Sequence, residues 1–262
     1  MPALSDLKKR VYRNIKYRLT RPPPPTVTPP FQGPVLIVGS APVSHKPADF
    51  DASFRVVTIN GSQAVTKAWG IEAPDVTFMQ FNQIEGTNTN AVEVRRVLNG
   101  ERTGELFVLL WRKDDRERLE KGLRAFNYRP DRLTIVDRYE RMALLDRVAG
   151  RKSLELDADS KCSNGINAVL FALYNGAPAV IITGINPNSG GHAYNQANLS
   201  RQHVRMDQEV LLRLMQKGYP IFTTDPSVSE AIGLPLWQGR DAQRKGATSA
   251  GANGNPLSGR SE

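Results

Sequence analysis

A chain of 262 residues with 40% hydrophobic content can build one full-sized domain with a real core, but not two of ordinary size. Its formal charge of +9 is not spread along the chain: residues 1–21 carry seven basic side chains against Asp6 alone, while residues 22–238 hold 24 basic and 23 acidic ones. A body that close to neutral lacks the footprint of a nucleic-acid binder, so no nucleic-acid partner is expected.

The first element is a helix. Leu4, Leu7, Val11, Ile15 and Leu19 recur at spacings of three and four, and Lys8, Lys9, Arg10, Arg13 and Lys16 fill most of the remaining surface. Such a basic amphipathic helix either packs on the body or lies on anionic lipid, and the density of Lys and Arg favours the lipid surface. Residues 22–34 follow, with Pro22 to Pro25 and Pro29-Pro30; they cannot be helical and are expected as an extended, semi-rigid linker. No apolar run of about 18 residues and no short apolar core behind the first charges occurs, so neither a spanning helix nor a secretory signal is expected. The expected location is cytoplasmic, peripheral on the inner face of the inner membrane.

Residues 35–238 read as the domain proper. Short β-branched runs predict strands at 35–38, 56–59, 76–79, 106–110, 133–136, 180–183 and 221–224, and helical spacing predicts helices at 91–98, 114–125, 165–174 and 203–217. Apolar strands alternating with helices predict a single Rossmann-like α/β domain with a mostly parallel sheet flanked by helices. Its ligand would sit beyond the C-terminal ends of the strands. Residues 239–262 are rich in Gly, Ser, Ala and Asn and are expected as a disordered tail.

The strand ends carry the chemistry. The first runs into Gly39, Ser40, Ala41 and Pro42, a small-residue turn whose backbone can approach a phosphate or sugar oxygen. It matches neither G-x-G-x-x-G nor G-x-x-x-x-G-K-[ST], which disfavours a dinucleotide oxidoreductase and a P-loop enzyme. Asn60 ends the second strand and Asn82 follows the third; each amide can donate and accept, as a base edge or ribose requires, or can cap its strand. Lys161, Cys162, Ser163, Asn164 and Gly165 precede an apolar helix that Ser163 or Asn164 can cap, turning its positive end toward an anion. After the sixth strand comes a long polar loop containing Asn186, Asn188, His192 and Tyr194, and loops of that length after a core strand are usually functional. Lone Cys162 reads as a small buried hydrophobe, and one cysteine permits no intrachain disulfide.

In this order the pieces resemble the bacterial sialyltransferases that decorate lipooligosaccharide and, more distantly, the animal sialyltransferases. The resemblance rests on the Gly39-Ser40-Ala41-Pro42 turn, Asn60, Phe81-Asn82, Lys161 before Ser163-Asn164-Gly165, Gly184-Ile185-Asn186 with the later Tyr194, and His203 shortly before Asp207. It spans residues 35–232. Ser40, Asn164 and Asn188 depart from the family pattern, which bears on the donor sugar more than on the reaction class.

The resemblance implies an inverting transferase that moves an acidic sugar from a CMP ester to a membrane-associated glycan or glycolipid acceptor, with CMP-Kdo as the alternative donor. It implies no metal and no cofactor: Ser40, Tyr194 and loop amides would stabilise a monophosphate leaving group. Asp157 and Asp159 are the alternative for a metal-dependent reaction. His203 would be the general base, at a helix start whose dipole favours neutral imidazole, with Asp207 one turn later and His192 as the substitute. Two readings of other classes stand beside it, a nucleotide-binding oxidoreductase and a non-catalytic membrane-surface protein.

Overall fold

The computed structural model describes residues 4–186, 193–194 and 203–240. Among them, seven strands form one parallel sheet: β1 (Val35–Val38), β2 (Arg55–Ile59), β3 (Val76–Gln80), β4 (Arg102–Leu109), β5 (Arg129–Val136), β6 (Val180–Thr183) and β7 (Ile221–Thr223), in the order β5-β4-β3-β2-β1-β6-β7. Side chains alternate across each strand, so successive apolar residues face opposite layers. Val35 and Ile37, Val57 and Ile59, and Val180 and Ile182 face one layer of helices, and Leu36, Val38, Val56 and Ile181 face the other.

On the first face lie α6 (Arg138–Ala149), α7 (Asn164–Tyr174), α8 (Val204–Gln216) and α9 (Pro226–Ile232). The central helix α7 is apolar on every side because it crosses β1, β2, β3 and β6. Its Phe171 meets Phe31, Phe78 and Phe107 edge-on. The other face carries α2 (Gln63–Ala68), the short α3 (Asn82–Glu85), α4 (Thr89–Leu98) and α5 (Arg116–Ala125).

The expected strands and helices form where the spacing placed them, and the sheet, expected as mostly parallel, is parallel throughout the described residues. Strands β4 and β5 begin four residues earlier than expected. Their added halves carry Arg102, Glu105, Arg129, Asp131 and Arg132 on the rim of the sheet, and Pro130 is tolerated because β5 is an edge. Leu110, expected within β4, instead turns left-handed at φ 66. Helix α6 had no counterpart in the sequence reading: its apolar residues face α7, α8 and the sheet, so charged and apolar side chains interleave without a clear stripe.

Helix α1 (Leu4–Thr20) docks on this body by its polar side. Arg13 donates to the carbonyl oxygens of Leu154, at 2.9 Å, and Glu155, and Tyr17 donates to Asp146 at 3.0 Å. Leu7, Val11, Ile15 and Leu19 are left exposed on the outer side. Residues 22–34 are extended, as expected, but they run along the domain instead of holding α1 away from it. Asn175 explains why: its carboxamide accepts from Val27 N and donates to Pro25 O, and its carbonyl accepts from Phe31 N, which buries Pro24, Pro25 and Phe31. No described helix is long and apolar enough to cross a membrane. The tail beyond Arg240 lies outside the described residues.

Candidate active site

The strand order reverses between β1 and β6, which is where a parallel sheet opens a crevice beyond its C-terminal edge. A cleft of about 430 Å³ occupies that position. Two walls form it, one from strand ends and one from helix starts.

Gly39, Ser40, Asn60, Gln80 and Asn82 build the sheet-side wall with Leu110, Gly184 and Ile185. The ends of β1 and β6 cross closely, with Gly39 N donating to Thr183 O and Ala41 N to Gly184 O, each at 2.8 Å. Asn60 has φ 51 and accepts the Gln80 N–H at 3.0 Å, so its backbone turns at the rim while its amide ties β2 to β3. Left-handed backbone at both Asn60 and Leu110 is unusual outside glycine and is held by the surrounding sheet.

The facing wall comes from Lys161 to Gly165, from His203 and Asp207, and from Arg141 on α6. Ser163 caps α7 by accepting the Ile166 N–H, which leaves the first-turn residues Asn164 and Gly165 bordering the cleft. Buried Asp207 accepts the Ser163 N–H at 2.8 Å, joining the starts of α7 and α8. His203, at the start of α8, has Nδ1 2.8 Å from Ala158 O. A carbonyl oxygen only accepts, so Nδ1 carries a hydrogen, and in the neutral imidazole the lone pair is then on Nε2. Cys162 borders the cleft but is 6% exposed, and burial pushes its thiol well above the usual range.

The structure therefore gathers Gly39, Ser40, Asn60, Asn82, Lys161, Ser163, Asn164, Gly165, His203 and Asp207 around one space. It does not gather three others. Ala41 is buried behind its turn with its N–H engaged by Gly184. Asn186 reaches away to Ser227 Oγ at 3.2 Å. Tyr194 lays its ring over Gly61, so close that a Cβ there would fall 2.9 Å from the ring. Asn188 and His192 lie outside the described residues. Asp157 closes its own turn with Ser160, whose side chain first and backbone N–H, at 2.8 Å, second hold its carboxyl below the usual range. Sequence reasoning missed Arg141 and Asn90, both on the cleft: Arg141 lies on α6, a helix not expected from the sequence, and Asn90 stands in the first turn of α4 without a recognised motif around it.

A doubly wound parallel sheet with a polar cleft at its switch point and helix starts facing that cleft is the architecture of a nucleotide-binding α/β protein. Among solved structures, this fold is similar to that of the sialyltransferases Cst-I and Cst-II. The monofunctional alpha-2,3-sialyltransferase Cst-I from Campylobacter jejuni aligns over 87% of this chain and 97% of its own, at 13% identity and a TM-score of 0.50. The sialyltransferase Cst-II, solved with a trisaccharide acceptor and CMP, aligns over 82% of this chain and 98% of its own, at 13% identity and a TM-score of 0.50. A Cst-II variant in complex with CMP gives a TM-score of 0.51 at 14% identity, over 77% of this chain and 85% of its own. No protein-family model matches the chain, and neither does any curated protein.

Proposed function

We propose that this chain is an inverting glycosyltransferase that moves a sialic-acid-like sugar from a CMP-activated donor to a membrane-associated glycan, working at the cytoplasmic face of the inner membrane. The observation that carries the reading is His203. The residue borders the cleft at the switch point of a fold shared with Cst-I and Cst-II, and its Nδ1 is engaged by the Ala158 carbonyl oxygen, so in the neutral imidazole Nε2 is the nitrogen able to accept a proton. In the reaction, the acceptor hydroxyl oxygen attacks the reacting carbon of the sugar, the bond from that carbon to the phosphate oxygen breaks, and the hydroxyl proton passes to Nε2. CMP leaves with the bonding pair. Asn60, Asn82, Asn164 and the open first turn of α7 face the space where nucleotide and phosphate would lie, and these neutral donors suit a leaving group of low charge.

Two supports favour a membrane acceptor: the outward apolar stripe of α1, and the basic residues beside it. The test combines binding and turnover. CMP added without divalent metal should raise the melting temperature where UDP, GDP and NAD do not, and His203→Ala should lower transfer by about 10²-fold or more while CMP affinity stays near that of the parent. Unchanged transfer by His203→Ala would remove the assignment of the base, and stabilisation by NAD in place of CMP would remove the reading itself.

A further inference from the structure

Helix α6 brings a buried cation to the cleft. Arg141 is 3% exposed, yet it borders the cleft on the same wall as Cys162, Ala158 and His203. Its Nε, at 3.1 Å, and one terminal nitrogen both donate to Glu155 Oε1. The other terminal nitrogen has no hydrogen bond among the described residues and is not sealed from solvent. Glu155 thereby fixes the plane of the guanidinium and leaves one terminal nitrogen of this cleft-lining residue unbonded, and a fixed guanidinium with a spare donor is suited to a carboxylate.

The charges around Arg141 do not balance. Glu155 also stands 3.5 Å from Arg138 Nε, while Arg13 grips the backbone of Leu154 and Glu155. Lys161 and Asp207 also line the cleft, so the charged side chains among its described lining residues are two cations, Arg141 and Lys161, and one carboxylate, Asp207. A CMP ester of an acidic sugar carries two negative charges, one on the phosphodiester and one on the sugar carboxylate. In sugars of this kind the carboxylate sits on the reacting carbon, so it must lie within reach of the wall that holds the base.

We infer that Arg141 recognises the carboxylate of the donor sugar through its unbonded terminal nitrogen and so selects acidic donors over neutral ones. The inference rests on the proposed transfer from a CMP-activated acidic sugar. Removing Arg141 alone would strand Glu155 as a buried, half-compensated carboxylate, so two other variants serve. Arg141→Lys keeps the charge and loses the fork, and the double variant Arg141→Gln/Glu155→Gln removes both charges together. Calorimetric titration of each, and of the parent, is made with CMP and with a non-transferable CMP-sialic acid analogue. Both variants should bind CMP as the parent does and bind the analogue about tenfold to a hundredfold more weakly. Equal weakening toward CMP and the analogue, or no weakening toward either, would overturn the assignment of Arg141. A parent that binds neither ligand would instead overturn the proposed function.

Discussion

Replacing Gly39 with alanine puts a methyl group where β1 and β6 end side by side. The new Cβ would fall 2.3 Å from the Gly184 carbonyl oxygen and 2.5 Å from Ile185 Cγ1, about 1 Å inside ordinary contact. Gly184 cannot easily retreat, because its N–H donates to Asp225 at 2.9 Å and its carbonyl accepts from Ala41 at 2.8 Å. Overpacking of this kind costs about 1–3 kcal/mol, and losing the Ala41 bond adds about 1 kcal/mol. A total of about 2–4 kcal/mol lowers the melting temperature of a domain this size by about 4–16 °C. The assay is a thermal melt with and without CMP, in which Gly39→Ala should also lose the stabilisation by CMP, since both residues that must move border the cleft. Gly100→Ala is the control: Gly100 has φ 80 and open space around it, and it precedes β4 at the opposite end of the sheet, so it should cost about 1–2 kcal/mol and keep the response to CMP. A Gly39→Ala protein that melts like the parent and is stabilised by CMP like the parent would refute this account of the crossing.

The outward stripe of α1 gives a second expectation: Leu7→Gln, Val11→Gln, Ile15→Gln and Leu19→Gln together should abolish sedimentation with anionic vesicles without lowering the melting temperature, because all four side chains are exposed. Retained sedimentation would remove α1 as the membrane contact. Burial raises the carboxyl of Asp225 above its usual range, against the lowering effects of the Gly184 N–H and His45, so its stabilising contribution is present at low pH and is lost as pH rises through the raised value. Asp225→Asn lacks that loss, and its melting temperature relative to the parent should climb between pH 4 and pH 7; a constant difference would contradict the sign. Burial, followed by the bond to Asp146, pushes the Tyr17 phenol up to about 12, so its docking contribution is full below pH 10 and vanishes as pH rises through that value. Tyr17→Phe should cost about 0.5–1.5 kcal/mol at neutral pH, measured by denaturant titration, and no cost would mean that the other contacts, Arg13 with Leu154 and Glu155 and Lys16 over the Tyr139 ring, hold the helix.

Much of this molecule could be read from local pattern. A central strand such as β1 has no solvated face, so Val35 to Val38 form an apolar run, and α7 declares itself by the capping residue Ser163 before a largely apolar stretch. Once the strands are parallel, the residues that end them must share a rim, which is why Gly39, Asn60 and Asn82 could be placed together without knowing any contact. Directions within loops follow no such rule. Asn186 and Tyr194 were expected on the cleft, yet one turns to α9 and the other to Gly61, choices set by tertiary neighbours. Arg141 shows the same limit from the other side: its helix had an N-terminal signal in Asp137 and Glu140, which form a capping box, and a C-terminal one in Gly150, but the partner that aims its side chain lies on a different segment. The docking of residues 22–34 was invisible because its partners, Asn175 and Phe171 at the far end of α7 and Arg132 on β5, are distant in sequence.

The placement of Cys162 has a practical consequence. It is the sole thiol in the sequence, it sits in the cleft wall beside the residues that carry the proposed chemistry, and in the closed molecule it is both covered and held in its unreactive protonated form. A thiol-specific reagent can therefore react with the native chain only through excursions that loosen this wall, and its rate of labelling counts them. The protein thus carries its own reporter of site opening, free of engineered labels. A ligand that bridges the two walls would register as slower labelling even before any product is formed.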